Sequence, residues 1–418
     1  MSKYVNPYRI EWTSFENGER MPFLVKAETG LPLQEPTFWV VASRRPLGVQ
    51  PNTLANDLRS LVYLFLWSDL RGINVQERIL NGRFLTLSEI LDLVNLCGRF
   101  VDAILTELHV ETGNVVALPV PEAASVRAGE RRNRLAAIHR YLSFTSADCL
   151  SELQGTPAWD RHNAMRKQFL DTLAGYRDAL VVPKSAKIFG KEGLAKAVLR
   201  RLLEVIEPDH PDNPFIKEVR FRNFVIVRLL IELGMRRGEL LGLKVSDCSF
   251  GSEAAFITIH RRPDDPDDPR HNKPSTKTEA RLLELGDRLS DILHRWIVEH
   301  RRTYTNARRH DFLIVSTPDG DPMSLDNVNK IFASLRRKVS GLTHVTPHVL
   351  RHTWNDLFSE TADRKGFSPD DEVTWRAHSM GWRDKDSAKH YLARTVRARS
   401  NEVVREIQDN LTLPDKAE

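Results

Sequence analysis

His348 and Arg351 stand three residues apart in TPHVLRHTW, directly after Thr346-Pro347. Proline suits the first turn of a helix, and residues three apart on a helix share a face. This spacing would present an imidazole and a guanidinium together. The first can move a proton near neutral pH, and the second can grip two phosphate oxygens at once. Arg236 and Glu239 repeat the spacing in GMRRGELLGLKVSD. In MGWRDKDSAKHY, Trp382 follows a glycine turn and Tyr391 comes nine residues later. Taken singly, each segment has an ordinary explanation: a surface arginine with its carboxylate, core aromatics, a chance His-x-x-Arg. The middle segment also admits zinc on His348 and His352. Protease-type zinc helices carry glutamate after the first histidine, however, and Val349 stands there.

Together the segments resemble the active-site boxes of the tyrosine recombinases, the phage-type integrase family. The family's first arginine box reads roughly Thr-Gly-Leu-Arg-x-x-Glu followed by Leu-x-x-Leu. LGMRRGELLGL is similar to it, with Leu233 in place of the threonine. His-x-Leu-Arg-His-Thr is matched by HVLRHT without a break. The third box, Leu-Gly-His or Gly-Trp with a tyrosine nine residues on, is matched by MGW and Tyr391. A hairpin Lys-Thr followed by an arginine and an apolar strand is matched by Lys277-Thr278 and ARLLEL. The resemblance covers about residues 190–400. The helices before it look like the family's core-binding domain.

The resemblance implies a role for each residue. Arg236 and Arg351 would hold the non-bridging oxygens of a scissile phosphate, with Glu239 orienting them. Tyr391 would attack phosphorus and form a 3′-phosphotyrosine link. A free tyrosine has a pKa near ~10, so it needs a base, and His348 is the candidate. Lys277 would protonate the departing 5′ oxygen. Lys273, beside a proline in the same loop, is its rival. Trp382 can donate an N–H or pack, but cannot act as acid or base. Such a cluster supplies its own cations and stores bond energy in the phosphotyrosine. The expectation is therefore no metal and no cofactor.

The elements that must position these groups are mostly helical. Leu54, Leu58, Leu61, Leu64 and Phe65 fall at helical steps, with Asn52 or Thr53 as cap and Gly72 as stop. Thr86 and Glu89 have the spacing of a capping box. Arg127, Arg131, Arg132, Arg134 and Arg140 crowd one helical stretch, which reads either as a solvated basic face or as a DNA-binding one. Another helix is expected over 157–180, and VVPKSAKIFGKEG reads as a connection. Helices at 192–206 and 218–234 then lead to a hairpin with strands 255–261 and 280–285. The Asp/Pro run between the strands reads as a solvated tip. A helix over 287–302, a strand over 312–316 and helices over 324–339 and 348–361 follow. TVRARSNEVVREIQDNL ends the pattern as a partly apolar helix wanting a partner surface.

The expected fold is mainly α with a small β-sheet. A segment of unassigned structure over 1–44 precedes a helical core-binding domain over 45–182 and a mixed α/β catalytic domain over 190–418. Three scattered cysteines argue against a disulfide framework, and no apolar run is long enough for a membrane span. The net charge of +5 permits a polyanionic partner without demanding one. The resemblance implies double-stranded DNA as partner, a homotetramer on two paired sites, and work in the cytoplasm at the bacterial nucleoid. Rivals are a type IB topoisomerase and a DNA-binding protein without catalysis. Target sequence, biological task and accessory factors are not legible.

Overall fold

The computed structural model describes residues 4–16, 18–111, 125–151, 153–181, 193–251, 254–262, 265–270, 273–274, 278–384, 400–401 and 403–408. The chain forms two compact units, Met1–Pro183 and Lys184–Glu418.

The first unit opens with an antiparallel hairpin, β1 (Tyr8–Ser14) and β2 (Arg20–Lys26), paired Tyr8 to Lys26. Tyr8, Met21 and Leu24 enter the same core as Trp39 and the helix α2 (Pro51–Arg71). The segment over 1–44 is therefore built into the first unit and does not stand apart from it. A short helix, α1 (Gln34–Trp39), precedes α2. Gln50, with Pro51 behind it, starts α2 in place of the expected Asn52 or Thr53. Gly72 ends it in a left-handed conformation. After α3 (Val75–Leu80), the capping box at Thr86 and Glu89 starts α4 (Leu87–Leu96). Then come α5 (Val101–Glu111), α6 (Ala128–Ser151) and α7 (Pro157–Ala179).

In the second unit, α8 (Lys196–Val205) precedes α9 (Lys217–Glu232), whose residues Arg222 to Ile231 are all buried. A helix buried on every face lies at the centre of a core. After α10 (Arg237–Gly242), the strands β3 (Cys248–Phe250), β4 (Ala255–Ile259) and β5 (Arg281–Leu285) form an antiparallel sheet in that order. Ile259 pairs with Arg281. α11 (Asp287–Arg295), α12 (Leu325–Lys338), α13 (Pro347–Lys365) and α14 (Pro369–Met380) complete the elements used below.

Two expectations fail here for physical reasons. The run over 312–316 is no strand: it makes only isolated bridges, Phe312 to Lys244 and Val315 to Pro322. Its apolar residues are buried because they fill the core, not because they join a sheet. The described part of the Asp/Pro loop is also not a solvated tip. Lys244 Nζ lies 3.0 Å from both Asp265 and Asp267, and Arg262 grips Asp247 at 2.6 and 2.8 Å. Asp268 is buried against Arg270, which also donates to the Leu241 and Met323 carbonyls. The loop's acids neutralise cations beneath them, so the loop folds back onto the unit.

Candidate active site

The site forms where four segments of the second unit meet. Thr346 caps α13 by accepting from the Val349 N–H at 3.1 Å, and Pro347 occupies the first turn. His348 is thereby exposed at the helix start, while Arg351, one turn deeper, is buried. Arg351 Nη1 donates to the Gly234 carbonyl at 2.7 Å, and Nη2 to the Met380 carbonyl at 3.3 Å. The guanidinium also lies 5.5 Å from the centre of the Trp382 ring. One side chain thus ties the first box to the third. The His348 and His352 rings meet edge to face with centres 4.4 Å apart. Among the described residues, no group of three or more His, Cys, Asp or Glu gathers as metal ligands.

Glycine is required at two of these crossings. Gly234 has φ +59°, and a Cβ there would lie 2.7 Å from the Trp354 ring. Gly381 has φ +64°, and a Cβ would lie 2.9 Å from Arg281 Nη1 and the Glu279 carbonyl. Gly381 also ends α14, turning the chain so that Trp382 N–H donates back to the Ala377 carbonyl at 2.9 Å.

Arg236 is half-buried at the start of α10, and its N–H donates to Glu239 Oε2 at 2.9 Å. The expected surface pair is half right: Arg236 Nη1 lies 3.4 Å from Glu239, but the carboxylate itself is fully buried. Its main partner is Arg281 on β5, at 2.8 Å, and the Thr278 hydroxyl donates to its other oxygen at 2.5 Å. Burial pushes the Glu239 carboxyl up. Arg281, then Arg351 and Thr278, outweigh that and hold its pKa below the ordinary glutamate value. Glu239 is accordingly an anion fixed among cations, suited to orienting them. Thr278 and Arg281 were not assigned roles from sequence.

Of the other expected site residues, Lys277 and Tyr391 lie outside the described residues. Lys273 is buried, with Nζ donating to the Asp265 carbonyl at 2.9 Å.

Residues 193–397 match the Phage integrase family. The chain is 30% identical over 146 residues to the tyrosine recombinase XerC of Bacillus pumilus, covering 34% of this chain and 42% of that one. It is 27% identical over 150 residues to the integrase of Staphylococcus phage L54a, covering 34% and 42%. The chain belongs to the tyrosine recombinase family. The matches span less than half the length of these relatives. Among solved structures, the Tn1549 transposon integrase in complex with transposon right end DNA is similar over 89% of this chain and 100% of its own, at 14% identity and TM-score 0.48. XerH bound to palindromic difH substrate is similar over 84% and 96%, at 14% and 0.43.

The basic run of the first unit divides on inspection. Arg134 is buried: Nη1 donates to the Cys97 and Arg99 carbonyls at 3.0 and 2.8 Å, and the guanidinium sits 3.8 Å over the Tyr63 ring. Arg131 donates to the Val94 carbonyl at 2.8 Å and to Asn95 at 3.0 Å. Both satisfy carbonyls around the end of α4, where the helix leaves acceptors without partners and concentrates negative charge. The expectation of a DNA contact from Arg134 is therefore corrected, because its side chain is buried, Nη1 is committed to backbone carbonyls and Nη2 pairs with Glu130. Arg140 pairs with buried Asp57 at 2.7 Å, exposed Arg132 lies 3.3 Å from Asp178, and Arg127 is exposed.

Proposed function

We propose that the protein is a site-specific DNA recombinase that cuts and rejoins duplex DNA through a 3′-phosphotyrosine intermediate. The observation that carries this reading is the convergence of Arg236, Glu239, His348, Arg351 and Trp382 through Arg351's bonds to Gly234 and Met380. The curated relatives named above are a tyrosine recombinase and an integrase.

In this reading Arg236 and Arg351 bind the non-bridging oxygens and balance the charge that grows on them as phosphorus becomes five-coordinate. The Tyr391 oxygen attacks phosphorus while its proton passes to His348. The bond from phosphorus to the 5′ oxygen breaks, and Lys277 gives that oxygen a proton. The products are a 3′-phosphotyrosine and a 5′-hydroxyl, and rejoining runs the same steps backwards. Two residues left open by the sequence are narrowed here. Lys273 is buried on a backbone carbonyl, which supports Lys277 as the acid. Trp382 lies against Arg351, which supports a packing and steadying role. Arg127 and Arg132, with Arg140 beside them, are the first unit's proposed phosphate contacts. Such contacts position a duplex without reading its sequence. A homotetramer on two sites, operating at the nucleoid, completes the proposal.

The test is to isolate protein–DNA adducts from cells under denaturing conditions and sequence the DNA. Wild type should yield one recurring site joined at Tyr391, and Tyr391→Phe should yield none while still binding that site. An adduct on another residue, or persisting in Tyr391→Phe, refutes the assignment.

A further inference from the structure

Arg281 has no part in the chemistry just described, yet it joins three of the segments around it, the hairpin, the Arg236 turn and the end of α14. Its side chain is 2% exposed, so it cannot touch DNA. Nε donates to the Ser379 carbonyl at 2.8 Å, Nη1 to the Thr278 hydroxyl at 3.1 Å, and Nη2 to Glu239 Oε2 at 2.8 Å. Each partner is a near neighbour of a residue of the proposed site. Ser379 is three residues before Trp382, Thr278 is one after Lys277, and Glu239 receives the Arg236 N–H. The Glu279 N–H donates to the Gly381 carbonyl at 3.0 Å, pinning the hairpin's end to the third box a second time. Gly381 has no side chain where Arg281 passes.

We infer that Arg281 is a positioning residue that sets the Lys277 end of the hairpin and the Trp382 segment in register with the Arg236 turn. This rests on the reading of Lys277 as the leaving-group acid. The geometry demands a guanidinium. Its planar fork holds three directions at once, whereas an ammonium on the same stem cannot reproduce them. Burial beside Glu239 keeps the fork from turning to solvent. An acid must come within hydrogen-bond reach of the departing oxygen, and a misplacement of about 1 Å can cost on the order of 10²-fold in rate. A pair serving stability alone would need no link to the residue beside Lys277.

The experiment uses the full chain and the duplex recovered from the adducts, synthesised with either oxygen or sulfur bridging the scissile phosphorus to the 5′ carbon. Sulfur leaves without a proton, so it relieves a misplaced acid and nothing else. Single-turnover cleavage, site affinity and thermal midpoint are measured for Arg281→Ala, Arg281→Lys, Thr278→Val and Lys277→Ala. Arg281→Ala is expected to bind the site nearly as wild type and cleave the oxygen duplex about 10²-fold more slowly, with most of that loss recovered on sulfur. Arg281→Lys and Thr278→Val are expected to lose less, with the same recovery. Equal loss on both duplexes at unchanged midpoint, or normal rates, overturns the inference. Should Arg281→Ala fail to fold, Thr278→Val decides by the same comparison. Failure of sulfur to rescue Lys277→Ala refutes Lys277 as the acid. Arg281 is then judged on the oxygen duplex, where a normal rate overturns it and a slow rate at unchanged affinity upholds its positioning of the other segments.

Discussion

Replacing Arg134 by methionine separates a structural arginine from a DNA-binding one. Methionine keeps most of the apolar stem but removes all five N–H groups. The Cys97 and Arg99 carbonyls lose their donor, and the cation leaves the Tyr63 ring. Hydrogen bonds from a charged group contribute about 1.5–3 kcal/mol each, and the ring contact about 1–2 kcal/mol. Some of this is offset, because a buried cation no longer has to be desolvated and water can reach a helix end. The net loss should be about 3–4 kcal/mol. For a unit of this size each kcal/mol lowers the midpoint by about 2–4 °C, so the first unit's transition should fall by about 6–16 °C. Calorimetry of the full chain reads that shift. The salt dependence of site binding, measured below the transition, should not change, whereas losing one phosphate contact would flatten its slope by about 0.9. Arg132→Ala should show the reverse pattern, since its pair with Asp178 is exposed and screened by solvent and so adds little to stability. A stable Arg134→Met with a flattened salt slope would refute the inward assignment.

Arg351→Lys should reduce single-turnover cleavage by at least about 10²-fold, because one ammonium cannot bridge Gly234, Met380 and a phosphate together; near-normal cleavage would show the arginine to be structural only. Glu239→Gln should cost about 3–5 kcal/mol at neutral pH by leaving Arg281 buried without its counter-ion. Since the folded carboxyl is held below its ordinary value of 4.5, that contribution is complete above 4.5 and is lost as pH falls through the lowered value. Denaturant titrations of wild type and variant should therefore converge only in acid, and a gap unchanged with pH would contradict the ionised pair. Gly381→Ala should lower the thermal midpoint and slow cleavage, since the left-handed backbone alone costs an alanine about 1 kcal/mol before the contacts with Arg281 and Glu279 are counted; a neutral effect in both assays would mean the crossing can relax.

What the sequence reveals depends on whether a signal is local. The Thr86–Glu89 box starts α4 because both partners lie within one turn. β4 and β5 are legible because inward and outward residues alternate along them. Arg236, His348, Arg351 and Trp382 carry recognisable spacing. The hairpin over 8–26 is hidden because its core contacts are with α2, far along the chain. α14 is hidden behind Asp370, Asp371 and Glu372, which look like loop but favour a helix's first turn behind the Ser368 cap. The basic run misleads for a related reason. Arginines at 131 and 134 look solvated until α4 ends against them and supplies carbonyls. Arg281 did leave a trace: it occupies the inward phase of β5, level with Leu283 and Leu285, where an arginine requires a buried acceptor. Glu239, 42 residues away, is that acceptor.

The two buried arginines tie the segments of the proposed site to one another. A side chain held only by its own helix would move with the helix end. Arg351 instead joins α13 to the Gly234 turn and to the end of α14, and Arg281 joins β5 to α10 and to the same end. Both therefore grip α14 at neighbouring carbonyls, Met380 and Ser379, immediately before the Gly381 turn that delivers Trp382. Two cations on one helix C-terminus are favourable because that end concentrates negative charge, and Glu239 between them lowers their mutual repulsion. The same arrangement makes an added phosphate welcome: it brings negative charge to a cluster whose one fully buried carboxylate is already shared among Arg236, Arg281 and Thr278. DNA binding and the internal cohesion of the site then reinforce one another, so a site duplex should stabilise the second unit more in wild type than in Glu239→Gln or Arg351→Lys.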